Sequence, residues 1–196
     1  MKTYFMSLIL LLSFSLNAGE LTEILKKRDA AIKKLLPEDG SEASSENKIK
    51  LKSAINDLID FSVLSKNCLS AHWDKMKKAQ RKEFTDLFSF LVKENSVKKL
   101  RFYKSDNVSY ETEEIKGDSA KLFTVVETDD EETDVEYLFF KDKAGNWRLK
   151  DIIIDEVSTE RNYRSRFNKI IKKKGLEGLL EKLRKKKKKL LEEDAK

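Results

Sequence analysis

The sequence is poor in the residues that build disulfides, metal sites and many catalytic sites. It contains one cysteine, one histidine and one proline among 196 residues. A single cysteine excludes an intramolecular disulfide, and a single histidine leaves few partners for a catalytic or metal-binding set. Glycine occurs only six times, so little of the chain is predicted to be linker. After the N-terminus, no apolar run approaches the roughly 20 residues that a membrane-spanning helix needs.

The first eighteen residues form the most apolar part of the chain. Lys2 precedes thirteen uncharged residues, 4–16, that are rich in leucine, and small residues follow before Glu20. This order is typical of a signal peptide, cleaved after Ala18 or Gly19. A buried N-terminal helix is the alternative. No cysteine follows the run, so we predict an exported protein that carries no lipid anchor and is soluble after cleavage.

Apolar residues at helical spacing predict helices over 20–36, 48–66 and 79–95, with a short helix at 68–73. The clearest apolar stripe lies in 79–95. Cys68 falls on the short helix, and nothing else in the sequence completes a catalytic set around it. We therefore interpret this cysteine as a small buried hydrophobic residue.

Four runs rich in Val, Ile, Phe and Tyr follow the helices, at 108–115, 120–128, 133–141 and 147–155. The short spacers between them are typical of hairpin turns, which predicts an antiparallel meander. In the last run, the apolar pair at 147 and 149 is out of phase with the pair at 152 and 154. This pattern predicts either a bulge at Lys150-Asp151 or a strand buried on both faces.

The segment after the strands is predicted to be helical. Ser158 is suited to cap its N-terminus, and Gly175 follows three lysines where the helix is expected to end. A short leucine-rich helix is predicted to follow Gly175. The order of helices, strands and helices predicts an α+β fold with a curved four-stranded antiparallel sheet and helices packed on one face.

Three groups of residues between 58 and 185 resemble the MlaC family, also called the toluene-tolerance auxiliary family. The first is Asp60-Phe61, Leu64, Leu69 and Trp73, followed by Gln80-Arg81, Phe84 and Phe88. The second is Trp147-Arg148, Asp151-Ile152 and Val157-Ser158. The third is the stretch from Asn162 to Phe167, followed by Gly175, Leu179-Leu180 and Leu183-Arg184. Each group is weak alone, but their order and separation are specific.

The resemblance implies three regions: a signal peptide at 1–18, a phospholipid-binding domain at 19–185, and a Lys-rich tail at 186–196. It implies a periplasmic carrier that shuttles phospholipid between an outer-membrane lipoprotein–porin complex and an inner-membrane ABC transporter complex, and so maintains the lipid asymmetry of the outer membrane. Such a carrier is a monomer with no catalytic site, cofactor or metal. Neither the head-group preference nor the direction of transport follows from the residues.

The implied binding site is an apolar cavity between the sheet and the helices. Its predicted lining residues are Phe61, Leu64, Leu69, Phe84, Phe88, Leu91, Val92, Tyr137, Phe139, Trp147, Ile152, Tyr163, Phe167 and Ile171. Ordinary core packing is the alternative for each of them. Arg164 and Arg166 are predicted to meet the lipid phosphate at the mouth, with solvated surface positions as the alternative.

The second half of the chain contains a basic tail and an acidic run. Residues 181–196 contain eight Lys or Arg and four Asp or Glu, a net charge of +4. We interpret this tail as a frayed terminus. Binding to an anionic lipid surface is a second interpretation. Binding to nucleic acid is a third, which export from the cytoplasm disfavours. The acidic run 129–134 is interpreted as a solvated turn, since it lacks the ligand spacing of a calcium loop.

Two other classes of function remain open from the residues alone. An enzyme would need a catalytic set in the cavity, for which Asp151 and Asp155 are the candidates. A cavity-facing pair of carboxyl groups with raised pKa values would favour that class, and solvent-facing carboxylates would exclude it. A pure interaction module would instead have a filled core.

Overall fold

In the computed structural model, residues 19–38, 41, 43–97, 107–127 and 131–194 are described. The predicted signal peptide and part of the acidic run lie outside these residues. Helices precede and follow one antiparallel sheet, as the sequence predicts. The first four helices are α1 (Glu20–Lys33), α2 (Ser45–Asn56), α3 (Phe61–Leu69) and α4 (Lys78–Val97), and a 3-10 turn at Ser70–His72 follows α3.

The prediction of one helix over 48–66 is wrong, because the chain leaves the helical conformation between α2 and α3. Leu58 accepts a backbone hydrogen bond from Leu149 at 2.7 Å, and Ile59 bridges to the same residue. The Asp60 carboxylate then caps α3 by accepting from the backbone N–H groups of Ser62 and Val63, both at 2.9 Å. An N-terminal cap of this kind satisfies donors that have no partner inside the helix.

The start of α4 explains two residues of the family pattern. The Gln80 side chain accepts a hydrogen bond from the backbone N–H of Lys77 at 3.0 Å. The Arg81 guanidinium donates to the Trp73 carbonyl at 3.0 Å and lies over the Trp73 ring. These contacts hold the turn before α4 against the helix.

Among the described residues, the sheet has five strands in the order β1-β2-β3-β4-β5, with every neighbouring pair antiparallel. They are β1 (Asn107–Lys116), β2 (Ser119–Glu127), β3 (Glu132–Lys141), β4 (Trp147–Ile154) and β5 (Val157–Ser158). The predicted four-stranded meander is therefore correct but incomplete. The two-residue strand β5 was missed because a pair of residues carries no periodic pattern.

Two bulges set the faces of the sheet. Leu138 pairs with Asp151 whereas Phe139 pairs with Leu149, so Lys150 is the extra residue in β4. The predicted bulge is confirmed, and it places Leu149 and Ile152 on the same face of the sheet. A second bulge lies in β1 at residue 111, between Tyr110 and Thr112.

One face of the sheet, here called the inner face, packs against helices. Ala120, Leu122 and Phe139 are buried on this face against Leu21 and Leu25 of α1. The N-terminus of α1 is fixed to β1 by the Glu113 carboxylate. It accepts from the backbone N–H groups of residues 21 and 22 at 3.2 and 3.0 Å, respectively.

Helix α5 (Thr159–Asp194) follows the sheet and bends at Gly175, whose φ is 70°. Glycine tolerates this left-handed conformation, which confirms the predicted end of the first helical segment. The second segment continues through residue 194, so the prediction of a frayed terminus is wrong for 186–194. The physical reason is Leu190, which is 3% exposed and belongs to the core that α5 forms with the other helices.

The helical core is centred on aromatic rings. Phe84 and Phe88 of α4 pack against Phe167 of α5 with ring centroids 5.4 and 5.2 Å apart, respectively. Leu179, Leu180 and the rest of the leucine stripe after Gly175 extend this core. The core thus joins the elements before the sheet to the element after it.

Candidate functional site

A pocket of about 190 Å³ lies between the inner face of the sheet and the helices. Its walls are mostly aliphatic, and both layers contribute to them. The sheet contributes Val108, Val126, Val135, Tyr137, Leu149, Ile152 and Ile154, and the opposite side contributes Ile55, Ile59, Leu64, Val92 and Tyr163. A surface of this chemistry is suited to hydrocarbon.

Polar side chains occupy another part of the pocket wall. They are Asp29, Lys33, Asn56, Asn95, Ser96, Lys150, Asp151 and Thr159. Lys33 and Asn95 are exposed, which places an opening of the pocket between α1 and the end of α4. Asn56 is buried beside them, and its amide donates to the Ser96 hydroxyl at 2.8 Å.

A charged network fixes α1 above the pocket. The buried Arg28 guanidinium lies 3.1 Å from the Asp29 carboxylate and over the ring of Tyr137. The Tyr110 hydroxyl donates to the same carboxylate at 2.7 Å. Burial raises the pKa of both Tyr110 and Tyr137, so both phenols are neutral near pH 7. The network therefore stabilises one wall of the pocket without a net charge.

The structure places the fourteen predicted lining residues in three locations. Leu64, Val92, Tyr137, Ile152 and Tyr163 line the pocket. Leu69, Phe84, Phe88, Leu91 and Phe167 are buried in the helical core, and Phe61 and Ile171 pack against it. Phe139 and Trp147 are buried between α1 and the sheet. The pocket therefore lies beside the aromatic core.

Neither predicted head-group residue is among the described lining residues of this pocket. Arg164 forms an ion pair with Glu160, one turn earlier on α5, and Arg166 is exposed. The cations in the pocket wall are instead Lys33 and Lys150.

The sequence reasoning missed most of the sheet side of the pocket. Val108 of β1 pairs with Val126 of β2, and Val135 of β3 lies on the same inner face, where it pairs with Thr124. These positions alternate with outward-facing residues. Strict alternation in the second and third strands was the available signal. It identifies the buried face but does not separate a pocket wall from a filled core.

Cys68 is fully buried, which confirms its interpretation as a core residue. Burial raises the pKa of its thiol to about 12, with the nearby Asp151 carboxylate as a smaller cause. A thiol with this pKa stays protonated near pH 7 and is a poor nucleophile.

The two candidate catalytic carboxyl groups do not form a pair. Asp155 is exposed in the turn between β4 and β5, and its carboxylate accepts from the backbone N–H of Asp134. Asp151 is buried and lines the pocket, and burial raises its pKa. Its carboxylate accepts from the Ser158 hydroxyl at 2.5 Å and from the backbone N–H of Glu160 at 2.9 Å. Asp151 therefore joins the β4 bulge to the start of α5.

Replacing Asp151 by alanine should lower the free energy of unfolding by about 2–4 kcal/mol, because it leaves buried donors at Ser158 and Glu160 without an acceptor. Asp151→Asn keeps one acceptor oxygen and should cost less. Burial raises the pKa of Asp151 in the folded protein above its ordinary value of 3.8. The wild type should therefore become more stable relative to Asp151→Asn as the pH falls from neutral toward 3.8. Urea unfolding at several pH values measures both effects, and equal losses in the two variants would contradict the capping role.

Within the part of the chain that the structure describes, no cluster of three or more His, Cys, Asp or Glu side chains could hold a metal ion. Among the same residues, no helix combines the length and apolar character needed to cross a membrane.

Comparisons with known proteins identify a family and a fold. The family model described as MlaC protein matches residues 26–185. A solved structure of a phospholipid-binding protein from Ralstonia solanacearum, in complex with a phospholipid, is similar with a TM-score of 0.73 and 20% sequence identity. The similarity covers 87% of this chain and 96% of the other and shows a shared fold. None of the curated protein sequences matches this chain.

Proposed function

Because the chain belongs to the MlaC family, we propose that it is a periplasmic phospholipid carrier, which binds lipid and does no catalysis. The observation that carries the proposal is the aliphatic pocket between the inner face of the sheet and the helices. In this proposal the acyl chains enter the pocket, and the head group stays in water at its polar opening.

Hydrophobic transfer explains why a carrier is needed. Exposing an acyl chain to water costs about 0.8 kcal/mol per methylene group, so two chains cost on the order of 20 kcal/mol. Free lipid monomers are therefore too rare to support exchange between two membranes. A protein that buries the chains removes most of this cost during transfer.

The size of the pocket indicates that binding requires a movement. Its volume of about 190 Å³ is below the roughly 300–1,000 Å³ typical of pockets for small-molecule ligands. We expect the helices to move away from the sheet when acyl chains enter. The pocket wall is shared between two layers, so a small separation of the layers enlarges it along its whole length.

The head group is expected near Lys33, which is exposed at the pocket opening. An ammonium group at this position could approach a lipid phosphate while the phosphate remains hydrated. This assignment replaces Arg164 and Arg166 as the first candidates, since the pocket wall includes neither of them. It leaves the head-group class open because a single lysine recognises any phosphate.

By membership of the family, the proposed partners are an inner-membrane ABC transporter complex and an outer-membrane lipoprotein–porin complex. The carrier is expected to be a monomer, since it must dock on each complex in turn. It is also expected to reach the periplasm through the signal peptide at 1–18.

Lipid extraction from the purified protein tests the proposal directly. The chain from residue 19 onward, purified without detergent, should release about one phospholipid per chain, identified by mass spectrometry of the extract. Native mass spectrometry should show the same stoichiometry on the intact protein. A folded protein that retains no phospholipid, even after incubation with phospholipid vesicles, would contradict the carrier function.

A further inference from the structure

Charge is strongly segregated between α5 and the sheet. Residues 159–194 contain fourteen Lys or Arg and six Asp or Glu, a net charge of +8. Residues 107–158 contain six Lys or Arg and fifteen Asp or Glu, a net charge of −9. Residues 1–106 carry a net charge of +6, so α5 has the largest net positive charge in the shortest stretch of the chain. A molecule with this distribution presents α5 to an anionic surface.

The second segment of α5 carries a row of lysines along one side. Lys182, Lys185, Lys186 and Lys189 recur at helical spacing, and all four are exposed. We call them the lysine stripe. The side of the helix that contains Leu179, Leu183 and Leu190 is buried in the core. The stripe is therefore held on the surface by the packing of its own helix.

Ion pairs leave most of this charge available. Lys185 lies 2.7 Å from Glu181 and Lys189 lies 3.6 Å from Glu193, but all four side chains are at least half exposed. Exposed pairs of this kind contribute little free energy, so the lysines can exchange these partners for others. The helix is fixed independently, because Arg184 pairs with Glu83 of α4 at 2.6 Å.

The basic surface continues across the bend at Gly175. Lys169, Lys173 and Lys174 of the first segment line a groove of about 430 Å³ together with two members of the stripe. Gly178 lets the Lys174 side chain lie close to the second segment, because a Cβ atom on residue 178 would lie only 2.4 Å from the Cβ of Lys174. The two segments of α5 thus form one basic surface.

We propose that this surface binds the anionic face of a phospholipid bilayer. Each basic residue near such a face strengthens binding about fivefold and needs no specific geometry. A protein partner fits less well, since lysine is depleted from protein–protein interfaces and its hydrated ammonium lacks the bidentate geometry of arginine. The proposal goes beyond lipid carriage, which needs only the pocket, and it gives the carrier a way to remain at a membrane surface.

Vesicle sedimentation tests the proposal with the chain from residue 19 onward. The stripe variant combines Lys182→Gln, Lys185→Gln, Lys186→Gln and Lys189→Gln. The control variant combines Lys66→Gln, Lys75→Gln, Lys77→Gln and Lys78→Gln, four exposed lysines elsewhere on the surface. The two variants have the same net charge, and glutamine preserves helix propensity.

The wild type and the control variant should bind vesicles of phosphatidylcholine mixed equally with phosphatidylglycerol, and the stripe variant should bind about 600-fold more weakly. Binding should be absent on phosphatidylcholine alone and should weaken with salt. The phospholipid content of the stripe variant should be unchanged, which separates this proposal from the carrier function.

Three results would overturn the bilayer assignment. They are equal binding by the stripe variant and the wild type, equal losses in both variants, and binding to neutral vesicles as tight as to anionic ones. Much stronger displacement by polyglutamate than by an equal total charge of added anionic vesicles would also overturn it, in favour of an acidic protein partner. Thermal unfolding of each variant, monitored by circular dichroism, establishes that the compared proteins are folded.

Discussion

Replacing Phe88 by alanine should lower the free energy of unfolding by about 3–5 kcal/mol. The Phe88 ring is fully buried. Its centroid lies 5.6 Å from the ring centroid of Phe84, 5.2 Å from that of Phe167 and 4.8 Å from that of Tyr163. Removing it deletes apolar contacts and leaves a cavity that three rigid aromatic neighbours cannot fill. Urea unfolding of the wild type and the variant measures the difference.

Phe90, two residues along the same helix, provides the control. It is half-buried and lies beneath the ammonium group of Lys187, 4.9 Å from its ring centroid. Phe90→Ala should therefore lose less than half as much stability. Similar losses at the two positions would show that Phe88 is not at the centre of the helical core. The folded fraction of Phe88→Ala should still retain phospholipid, because Phe88 belongs to the core and does not line the pocket.

Replacing Val126 by tryptophan should abolish phospholipid retention in a protein that remains folded. Val126 is 6% exposed, lies on the inner face of β2 and lines the pocket. An indole ring is large compared with a pocket of about 190 Å³ and should occupy the space that the acyl chains need. Overpacking of this kind costs about 1–3 kcal/mol, which a domain of ordinary stability tolerates. Mass spectrometry of extracted lipid and the melting temperature give the two readouts.

The neighbouring residue Val125 offers a matched control. Consecutive residues of a strand point to opposite faces, so Val125→Trp adds the same ring to the outer face of the sheet. This variant should retain phospholipid at the wild-type level. If Val126→Trp is folded and keeps its full lipid content, the pocket described here is not the acyl-chain site, although another site could still bind lipid.

Much of the fold was predictable because local patterns determine it. Alternation and turn residues predicted four strands, and the phase change in the last of them predicted the bulge at Lys150. The break between α2 and α3 was not predictable from periodicity, since residues 58–60 leave the helix to pair with Leu149 in a distant strand. The helical structure of residues 186–194 was also not predicted. The run of lysines indicated a solvated tail, although Leu190, the single leucine of this segment in the core, anchors it there.

The pocket was only partly predictable because one helical stripe serves both the core and the pocket. Phe88 and Val92 are one turn apart on α4, yet Phe88 is fully buried among aromatic rings and Val92 lines the pocket. In the sequence, both residues belong to the same apolar stripe of the helix, which is predicted to face inward. What separates them is their surroundings, because Phe88 packs against aromatic rings of α4 and α5, whereas Val92 faces a pocket whose wall comes from helices and strands far apart in the sequence.

The bulge at Lys150 also affects how this chain should be aligned with its relatives. Because Lys150 is the extra residue of β4, a relative that lacks it can keep every other residue of the strand in the same pairing with β3. A gap placed at position 152 would instead align the counterpart of Ile152 with position 151, and so remove it from its place in the pocket wall. An alignment can therefore place a gap at position 150 and still match every other residue of β4 with a residue on the same face of the sheet.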